Sequence, residues 1–477
     1  MATTETVHGG TDHGQGASHL APSGDPPSRT SASPSMMEPA SVPVSRRSFI
    51  AASAAASAVV AVGGCAGTGA RKGPAVLAGR AERAERIRVG VIGCGGRGTG
   101  AAKDAVRAAP NVEIVALGDL LEERVKSCRE SLKELGDACK VTDDRCFTGF
   151  DNYKGVLACD LEMVILATPP HFRPRHLQAA VEAGKHVFME KPVAVDPVGV
   201  RSVIAASELA HANGLAIVAG TQRRHDPAYR ETMKRVLDGE MGEIVAGQCY
   251  WNQGALWVIE RTPEMSDMEW QCRNWLYFCW LSGDHIVEQH IHNLDIMNWA
   301  MGGPPEKCVG MGGRQVRVDP KFGNIFDHFA VEYEYSGGRR VSSQCRQIAG
   351  CSDRVSERLV GTRGWADPAG TIHVNKHGWS KARTWKYELA GEAPNPYELE
   401  HAALIKSIRD GCPINEGKRV AESTLTAIMG RMSAYTGREV SWKWAMNASQ
   451  LDLTPPHYEF SALPIAPVPV PGETKLV

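Results

Sequence analysis

One stretch near residue 90 constrains the fold of this chain more than any other. In 87-IRVGVIGCGGRGTG-100, a short apolar strand runs into three glycines spaced as G-x-G-x-x-G, and a helical pattern follows. A second apolar strand, 112-VEIVALGD-119, ends in an aspartate. A glycine turn between strand and helix lets backbone approach a pyrophosphate, and a carboxylate ending the next strand suits the ribose hydroxyls. The pattern therefore predicts a dinucleotide-binding βαβ unit.

The alternation of strands and helices continues beyond this unit. Apolar stretches 161-LEMVILATPP-170, 186-HVFMEKP-192 and 215-LAIVAG-220 are separated by helical segments. This order predicts a Rossmann domain with a parallel, doubly wound sheet over residues 86–222, with ligands at the carboxyl ends of its strands. Asp119 repels a 2′-phosphate, so NAD is favoured over NADP. The predicted cofactor-binding residues are Gly93, Gly95, Gly98, Arg97, Asp119, Thr168, Pro169, Glu190 and Gln222.

The pattern changes after residue 222. Stretches such as 326-FDHFAVEYEY-335 and 339-RRVSSQCRQIAG-350 alternate with period two around a Gly-Gly turn, which predicts an antiparallel sheet. Helices are expected at about 397–410 and 418–436. We predict a second α/β domain over residues 223–445, for substrate binding and oligomerisation. The proline-rich tail, 446–477, is expected to lie extended on a surface.

The N-terminus has the composition of a leader. Residues 1–44 are rich in Ser, Pro, Gly and Ala and are predicted to be disordered. The segment 45-SRRSFIAASAAASAVVAVGGCAG-67 resembles a twin-arginine export signal whose apolar run is too short to span a bilayer. Cys65 fits a lipoprotein cleavage box, although it is also consistent with a leader cleaved elsewhere. Residues 68–85 are a linker, so we expect an exported protein, periplasmic or membrane-anchored.

Charge and cysteine usage narrow the classes of partner. The formal net charge is −1, which gives no indication of a nucleic-acid partner. The 13 cysteines lack CxxC or zinc-finger spacing and are expected to be reduced core residues.

In chain order, the motifs GVIGCGGRG, ALGD, ATPPH, EAGKHVFMEKP and HIHNLD resemble those of the Gfo/Idh/MocA oxidoreductases over about residues 86–440. The resemblance implies a Rossmann domain followed by an α/β domain whose open, mainly antiparallel sheet builds a homo-oligomer, a dimer or tetramer. It also implies oxidation or reduction of a sugar or polyol hydroxyl with NAD(P). A minority of such proteins use NAD without net redox to cleave glycosidic bonds through a transient ketone.

The resemblance also assigns roles to individual residues. Thr168 and Pro169 match the turn beside the nicotinamide, and Lys191 of the E-K-P motif matches the catalytic lysine. His292 and Asp295 match the pattern D-x-x-x-H-x-x-D, whose first acid is here Glu288. Arg224 matches an arginine that commonly follows the sixth strand.

The stretch 282-SGDHIVEQHIHNLD-295 has three interpretations. Ser282 and the following Gly302-Gly303-Pro304 predict one helix over 283–301, with a single stripe formed by His285, Glu288, His292 and Asp295. The stripe is a metal site, a solvated polar face, or a proton relay beside the nicotinamide. We favour the relay, without a metal: Lys191 polarises the substrate hydroxyl or takes its proton, His292 can accept that proton, and Glu288 orients the imidazole ring. His285 and His290 receive no role.

Substrate contacts are predicted from residue type. The aromatic loop 269-EWQCRNWLYFCW-280 offers rings that stack on sugars, although a core or dimer contact explains it equally well. His171 either contacts substrate or caps the next segment. The predicted substrate-binding residues are His171, Arg224, Trp270, Arg273, Asn274, Trp275 and Asp295.

Taken together, these patterns predict an exported oxidoreductase with tightly bound NAD, acting on a secondary hydroxyl of a sugar, sugar derivative or polyol. The alternative is an NAD-dependent glycoside hydrolase, which would use the same lysine and histidine. A third interpretation, a non-catalytic NAD-bound sugar-binding protein, is disfavoured because Lys191 and His292 are both present.

Overall fold

The structure of the protein, a computed structural model, describes residues 86–376 and 380–477. The predicted disordered leader, export signal, Cys65 lipid site and linker, residues 1–85, lie outside the described residues. Within the described part of the chain, no helix combines the length and the apolar character needed to cross a bilayer.

Residues 87–219 form the predicted parallel sheet. Its six strands are β1 Ile87–Ile92, β2 Val112–Gly118, β3 Cys146–Phe147, β4 Met163–Leu166, β5 His186–Met189 and β6 Ile217–Ala219, in the order β3-β2-β1-β4-β5-β6. The helices between them are α1 Gly96–Ala108, α2 Glu122–Leu132, α3 Asn152–Ala158, α4 Arg173–Glu182 and α5 Pro197–Ala212. The strand order reverses between β1 and β4, which is where a crevice for a ligand opens in such a sheet.

The second half of the chain carries the mainly antiparallel sheet. Its described strands are β7 Ile244–Gln253, β8 Lys307–Gly313, β9 His328–Tyr335, β10 Arg339–Gln347, β11 Arg354–Gly361, β12 Gly364–Asp367, β13 Thr371–Val374, β14 Arg383–Lys386 and β15 Val440–Ser441. They pair in the order β14-β13-β12-β11-β7-β10-β9-β8-β15, with β7 and β10 parallel. Along β9, buried Phe329, Val331 and Tyr333 alternate with exposed residues. The predicted fold class is confirmed.

Helices cover the buried face of this sheet and connect it to the first one. They are α6 Pro227–Leu237, α7 Asp267–Arg273, α8 Cys279–Ser282, α9 His285–Glu288, α10 Ile291–Met301, α11 Pro396–Arg409, α12 Gly417–Thr436 and α13 Trp442–Asn447. The long helix α12 packs against β8 and β9, and α10 packs against β7.

Helix α11 belongs to the Rossmann core although it lies far along the chain. It packs against α1 and β6, and its Leu404 and Ile405 are buried in the same cluster as Val89 and Phe188. The predicted boundary between the two domains, at residues 222 and 223, assigns α11 to the second domain by sequence position, whereas the helix packs on the Rossmann core.

The C-terminal tail, defined here as residues 448–477, contains neither helix nor strand. It is nevertheless fixed to the body of the protein, because Gln271 Nε2 donates to Leu463 O at 2.6 Å and Leu453 N donates to Asp196 Oδ2 at 2.9 Å. Leu463 is buried. The tail thus forms part of the packed structure in addition to covering a surface.

The predicted single helix over 283–301 is wrong. The chain forms two helices, α9 and α10, and the N–H of His290 reaches back five residues to His285 O at 3.2 Å. His290 is fully buried beneath the second sheet, where its Nε2 is hydrogen-bonded to Ser343 Oγ at 2.7 Å. A continuous regular helix would not bring the His290 ring into this buried position. The break between α9 and α10 is therefore explained by the burial of the ring.

Candidate active site

The glycine turn after β1 has the geometry that its spacing predicts. Gly93 has φ +101°, and a Cβ there would lie 2.5 Å from the backbone of Thr168. A Cβ on Gly98 would lie 1.7 Å from Gly93 O, so the start of α1 can approach the turn only with glycine at this position. The space beside Gly96 is open. The turn thus leaves the positive N-terminus of α1 accessible to a phosphate.

A cavity of about 520 Å³ lies beside this turn. The Rossmann half contributes Gly93, Gly95, Gly96, Arg97, Asp119, Leu120, Leu121, Arg124, Phe150, Asn152, Ala167, Thr168, Pro169, Phe172 and His176. The second half contributes Trp257, Ile259, Cys272 and Trp275. Because glycine backbone, a helix N-terminus and a carboxylate all border the cavity, these residues fit a dinucleotide. Trp257 and Ile259 were not predicted as site residues, since a loop between a strand and a helix carries no cofactor motif.

Asp119 ends β2 and borders the cavity. Its Oδ2 accepts from Cys94 N at 2.7 Å and its Oδ1 accepts from Leu121 N at 3.0 Å. Burial raises the pKa of the Asp119 carboxyl, although the two N–H donors and Arg124 oppose this effect. The side chain therefore holds the glycine turn against β2 as well as facing the predicted ribose position.

Arg97 connects the glycine turn to the E-K-P segment. Its guanidinium donates to Glu190 Oε1 and to Asp104 Oδ2 at 3.1 Å, and it lies 4.7 Å from the centre of the Tyr397 ring. It also lies 3.5 Å from Glu400 Oε1. Burial raises the pKa of Glu400 well above its usual value, and the nearby Glu190 carboxylate adds to this effect. Glu190 itself does not line the cavity, so in this structure it acts as a partner of Arg97.

Arg173 fixes the ends of two neighbouring Rossmann strands. It is fully buried, and it donates from Nε to Glu190 O at 2.9 Å and from Nη2 to Thr168 O at 2.6 Å. Burial lowers its pKa to about 10. Arg173 was not among the predicted site residues, because an arginine in the first turn of a helix is usually solvated.

Lys191 follows β5 and points across to helix α9. Its Nζ donates to Glu288 O at 2.5 Å and to Glu288 Oε1 at 3.2 Å, and the two side chains are 11% and 14% exposed. Two of the three ammonium donors are thereby used within the protein. The structure brings together these two predicted catalytic residues.

His292 lies close to this pair but is not oriented by Glu288. Among the described residues, Glu288 hydrogen-bonds Lys191 and has no hydrogen bond to His292. The imidazole instead stacks on Trp251, with ring centres 5.7 Å apart. Burial, with Lys191 and Arg223 adding positive charge, lowers the pKa of His292 well below its usual value. The predicted Glu288–His292 contact is wrong, because the break between α9 and α10 changes their relative orientation.

Arg224 and Asp295 bind each other, which corrects their prediction as substrate contacts. Arg224 Nε donates to Asp295 Oδ2 at 2.7 Å and its Nη2 donates to Oδ1 at 3.0 Å. Arg419 Nη1 and Ser423 Oγ donate to the same Oδ1. A buried carboxylate needs such partners, and these donors use both oxygens of Asp295. Arg224 uses Nε and Nη2 in this pair.

The aromatic loop is also mainly structural. Trp270 is buried, with Nε1 donating to Ile259 O at 2.9 Å, and Asn274 is fully buried, with Oδ1 accepting from Ile259 N at 2.9 Å. Arg273 pairs with Glu269 and with Glu123 of α2. Trp275 lines the cofactor cavity. These four residues were predicted to contact a sugar. In the structure Trp270, Asn274 and Arg273 have partners within the protein, and Trp275 borders the cofactor cavity.

His171 and Gln222 also have partners within the protein. His171 Nε2 is hydrogen-bonded to Tyr458 of the C-terminal tail at 2.8 Å, and burial lowers its pKa to about 4. Gln222 Nε2 donates to Tyr397 at 3.2 Å, outside the cavity lining. Tyr458 and Tyr397 were missed, because long-range contacts of isolated tyrosines leave no local pattern.

His285 is bound by its own neighbours. Its Nδ1 lies 3.0 Å from Asp284 Oδ1, and its ring contacts Phe329. Within residues 86–376 and 380–477, no group of three or more His, Cys, Asp or Glu side chains is arranged to hold a metal ion.

Comparison with known proteins agrees with this architecture. Residues 87–219 match the oxidoreductase family with an NAD-binding Rossmann fold, GFO_IDH_MocA. Residues 229–367 match the GFO/IDH/MocA C-terminal domain. The two matches together span more than half of the chain.

Individual relatives of this chain have low sequence identity to it. An inositol 2-dehydrogenase of Burkholderia cenocepacia (strain HI2424) is 26% identical over 337 residues, covering 68% of this chain and 87% of that protein. A scyllo-inositol 2-dehydrogenase (NAD(+)) of Bacillus subtilis (strain 168) is 25% identical, covering 58% of this chain and 72% of that protein. The fold is similar to an aldose-aldose oxidoreductase from Caulobacter crescentus, with TM-score 0.57 and 18% identity over 75% of this chain and 99% of that one. With its glycine turn, E-K-P lysine and two matched domains, this chain belongs to the Gfo/Idh/MocA family of NAD-binding oxidoreductases.

Proposed function

We propose that this oxidoreductase transfers a hydride between NAD and a secondary hydroxyl carbon of a cyclic polyol, a sugar or a sugar derivative. The observation that carries the proposal is the Lys191–Glu288 pair, which lies at the carboxyl edge of the Rossmann sheet. The names of the inositol dehydrogenases to which the chain is similar support the substrate class.

The residues supply proton transfer and orientation. NAD, when bound, supplies the hydride acceptor. Lys191 Nζ makes two hydrogen bonds to Glu288, which leaves one position for a substrate hydroxyl. In the neutral form Lys191 takes the hydroxyl proton, and the Glu288 carboxylate stabilises the ammonium that results.

His292 is better suited to hydrogen bonding than to holding a proton. Because burial and the neighbouring Lys191 lower its pKa, the ring is neutral at pH 7. A neutral imidazole offers one donor and one acceptor, so we assign it the orientation of the substrate hydroxyl. This role replaces the proton-accepting role predicted from the sequence.

The cofactor is proposed to be NAD, tightly held. Asp119 disfavours a 2′-phosphate, and Trp257, Ile259 and Trp275 from the second half close the side of the cavity away from the glycine turn. A retained cofactor must be regenerated within the site. For this reason an NAD-dependent glycoside hydrolase, working through a transient keto-sugar, remains the second candidate.

The test uses purified full-length protein. The bound nucleotide is released by denaturation and identified, and absorbance near the NADH band is followed while inositols, aldoses and aryl glycosides are added. A lasting increase with a polyol or sugar supports the dehydrogenase, whereas aglycone release without net absorbance change supports the hydrolase. Lys191→Met should abolish either response. Absence of bound dinucleotide together with unchanged behaviour of Lys191→Met would refute both enzymes.

Export and assembly are separate proposals. The twin arginines and Cys65 support export by the twin-arginine route with a lipid anchor. Replacing Arg46 and Arg47 by lysine should retain the protein in the cytoplasm, and Cys65→Ser should release it from membranes in cell fractionation. A homo-oligomer, a dimer or tetramer, is expected from the family resemblance and is measured by light scattering.

A further inference from the structure

A second cavity lies under the C-terminal tail, apart from the cofactor cavity. We call it the tail cavity; its volume is about 370 Å³, and helices α8 and α12 together with the tail enclose it. Most of its wall is apolar, with Phe278, Trp280, Met432, Leu453, Leu463 and Leu476. The volume falls within the range of roughly 300–1,000 Å³ typical of small-molecule sites.

Three charged side chains line the tail cavity, and of these Asp452 and Lys475 are exposed whereas Arg431 is buried. Arg431 of α12 is 1% exposed and lines the tail cavity. Its Nη1 donates to Gly283 O at 3.0 Å. Among the described residues, no carboxylate lies within ion-pair distance of its guanidinium. A buried cation without a counter-charge is costly, so this arginine is a strong indication that an anion binds here.

The nearest buried carboxylates already have other donors. Asp284 Oδ2 accepts from Phe326 N at 2.8 Å and from Tyr435 Oη at 2.5 Å. Asp196 accepts from Gly199 N at 2.7 Å and from Leu453 N at 2.9 Å. Neither carboxylate forms an ion pair with Arg431, although the positive charge of Arg431 acts on Asp196 over a longer distance. The guanidinium carbon lies 5.9 Å from the centre of the Tyr435 ring, and the one hydrogen bond of this side chain among the described residues goes to Gly283 O.

Three other arginines of low exposure provide a comparison. Arg224 makes three hydrogen bonds to Asp295, and Arg173, which has no carboxylate partner, donates to three oxygens of Glu190 and Thr168. The buried Arg317 resembles Arg431, because its guanidinium has one side-chain acceptor, Gln347 Oε1, and its Nη2 has no partner. A single hydrogen bond therefore does not by itself indicate a ligand; for Arg431 the further observation is that its side chain lines the tail cavity.

We propose that the tail cavity binds a small carboxylate with an apolar body, separate from the substrate of the dehydrogenase site. Arg431 pairs with the carboxylate, in the bidentate geometry that guanidinium favours, and the apolar wall receives the hydrocarbon part. Two exposed side chains also line the cavity: Lys475 adds a second positive charge, and Asp452 adds a negative one that a bound carboxylate must avoid. The competing occupant is the carboxylate of Val477, which lines the same cavity.

The test measures octanoate binding to the full-length protein by titration calorimetry and thermal unfolding. Octanoate should bind and raise the melting temperature, whereas octanol, which lacks the charge, should bind at least tenfold more weakly. Arg431→Gln should weaken octanoate binding at least tenfold. Arg438→Gln, which removes an exposed arginine beside the same helix, should leave it unchanged.

A second variant covers the case in which Arg431→Gln fails to fold. Ala466 is exposed and lines the cavity, so Ala466→Trp should occlude it and weaken octanoate binding with Arg431 intact. Equal binding of octanoate and octanol, unchanged binding in Ala466→Trp, or no binding to the wild-type protein would overturn the proposal. So would binding that appears only after Val477 is deleted, because the chain's own carboxylate would then be the occupant.

Discussion

Two ion pairs join the Rossmann strand ends to the broken helix, and they differ in how completely they are satisfied. Lys191 after β5 meets Glu288 at the end of α9, and Arg224 after β6 meets Asp295 in α10. The Glu288 carboxylate has one side-chain donor among the described residues, namely Lys191. The Asp295 carboxylate has three, namely Arg224, Arg419 and Ser423.

Under the proposed function, this difference separates the pair that takes part in the reaction from the pair that stabilises the fold. Burial alone would raise the pKa of Asp295, but the charges of Arg224 and Arg419 outweigh it and hold the pKa well below its usual range. Such a carboxylate stays ionised and stays bound. Lys191, by contrast, keeps a donor position for another molecule. The family's sequence pattern matches both pairs and so cannot show which pair is open to another molecule. The number of hydrogen-bond donors around each carboxylate does distinguish the two pairs.

Removing the lysine should give the largest effect. Lys191→Met should lower kcat by about a thousandfold, because proton transfer by a positioned side chain contributes roughly 10²–10⁴-fold. Lys191→Arg is the matched control: it keeps the charge but does not release a proton, so it should be equally inactive. Activity in Lys191→Arg near the wild-type level would contradict proton transfer by Lys191.

Breaking the second pair should affect stability. Asp295→Asn leaves Arg224 and Arg419 buried without their carboxylate and should lower the free energy of unfolding by about 3 kcal/mol in urea titrations. The kcat per folded molecule should stay within about threefold of wild type, less than the smallest contribution expected of a proton-transfer residue. Asp238→Asn removes an exposed carboxylate paired with Lys234 and should change stability by under about 0.5 kcal/mol. A large kcat loss in Asp295→Asn would place that residue in the reaction.

The sequence predicted the cofactor side of the site better than the substrate side, for a physical reason. The glycine turn is a local constraint: Gly93 and Gly98 are required by contacts within a few residues along the chain or on the next strand. Spacing alone therefore locates the turn. The order of the parallel strands follows from the same alternation of strand and helix.

The substrate side depends on contacts between distant segments. Burial of His290 against Ser343 breaks the predicted helix, and this contact spans 53 residues. With the helix broken, Glu288 hydrogen-bonds Lys191, 97 residues away, and forms no hydrogen bond to His292 among the described residues. Trp270 and Asn274 look like sugar contacts by residue type, yet both bind the backbone of Ile259. No periodicity in the sequence encodes such pairings.

A smaller effect is expected from the acid of the reactive pair. Glu288→Gln keeps the shape of the side chain but removes the charge that stabilises protonated Lys191, so kcat should fall by about tenfold, one step of about 1.4 kcal/mol in the barrier. KM should change little, because Glu288 contacts the lysine and not the proposed substrate position. Glu123→Gln, which removes a surface partner of Arg273, should leave kcat unchanged. If Glu288→Gln raised KM and spared kcat, Glu288 would belong to substrate binding.

The buried imidazole of His401, which has no hydrogen-bond partner, extends the comparison of the two ion pairs. The smallest expected effect is on the pH dependence of stability when this residue is replaced. His401 of α11 is fully buried against Phe188, with ring centres 3.9 Å apart, and neither ring nitrogen has a hydrogen bond. Burial, with Arg97 and His225 adding positive charge, lowers its pKa well below the usual value. Above pH about 6.5, folded and unfolded chains both carry a neutral His401. Below that pH only the unfolded chain takes up the proton, so stability falls as the pH falls.

The variant His401→Phe should remove this loss. At pH 7 it should be as stable as wild type or up to about 1 kcal/mol more stable, because two unbonded buried nitrogens disappear. Between pH 6 and pH 5 its free energy of unfolding should fall by about 1.2 kcal/mol less than that of wild type, the linkage expected for one imidazole with an unfolded-state pKa near 6.5. Urea titrations across this range measure the difference, and the exposed His211→Phe should show none of it. An unchanged pH dependence in His401→Phe would mean that His401 takes up its proton in the folded chain.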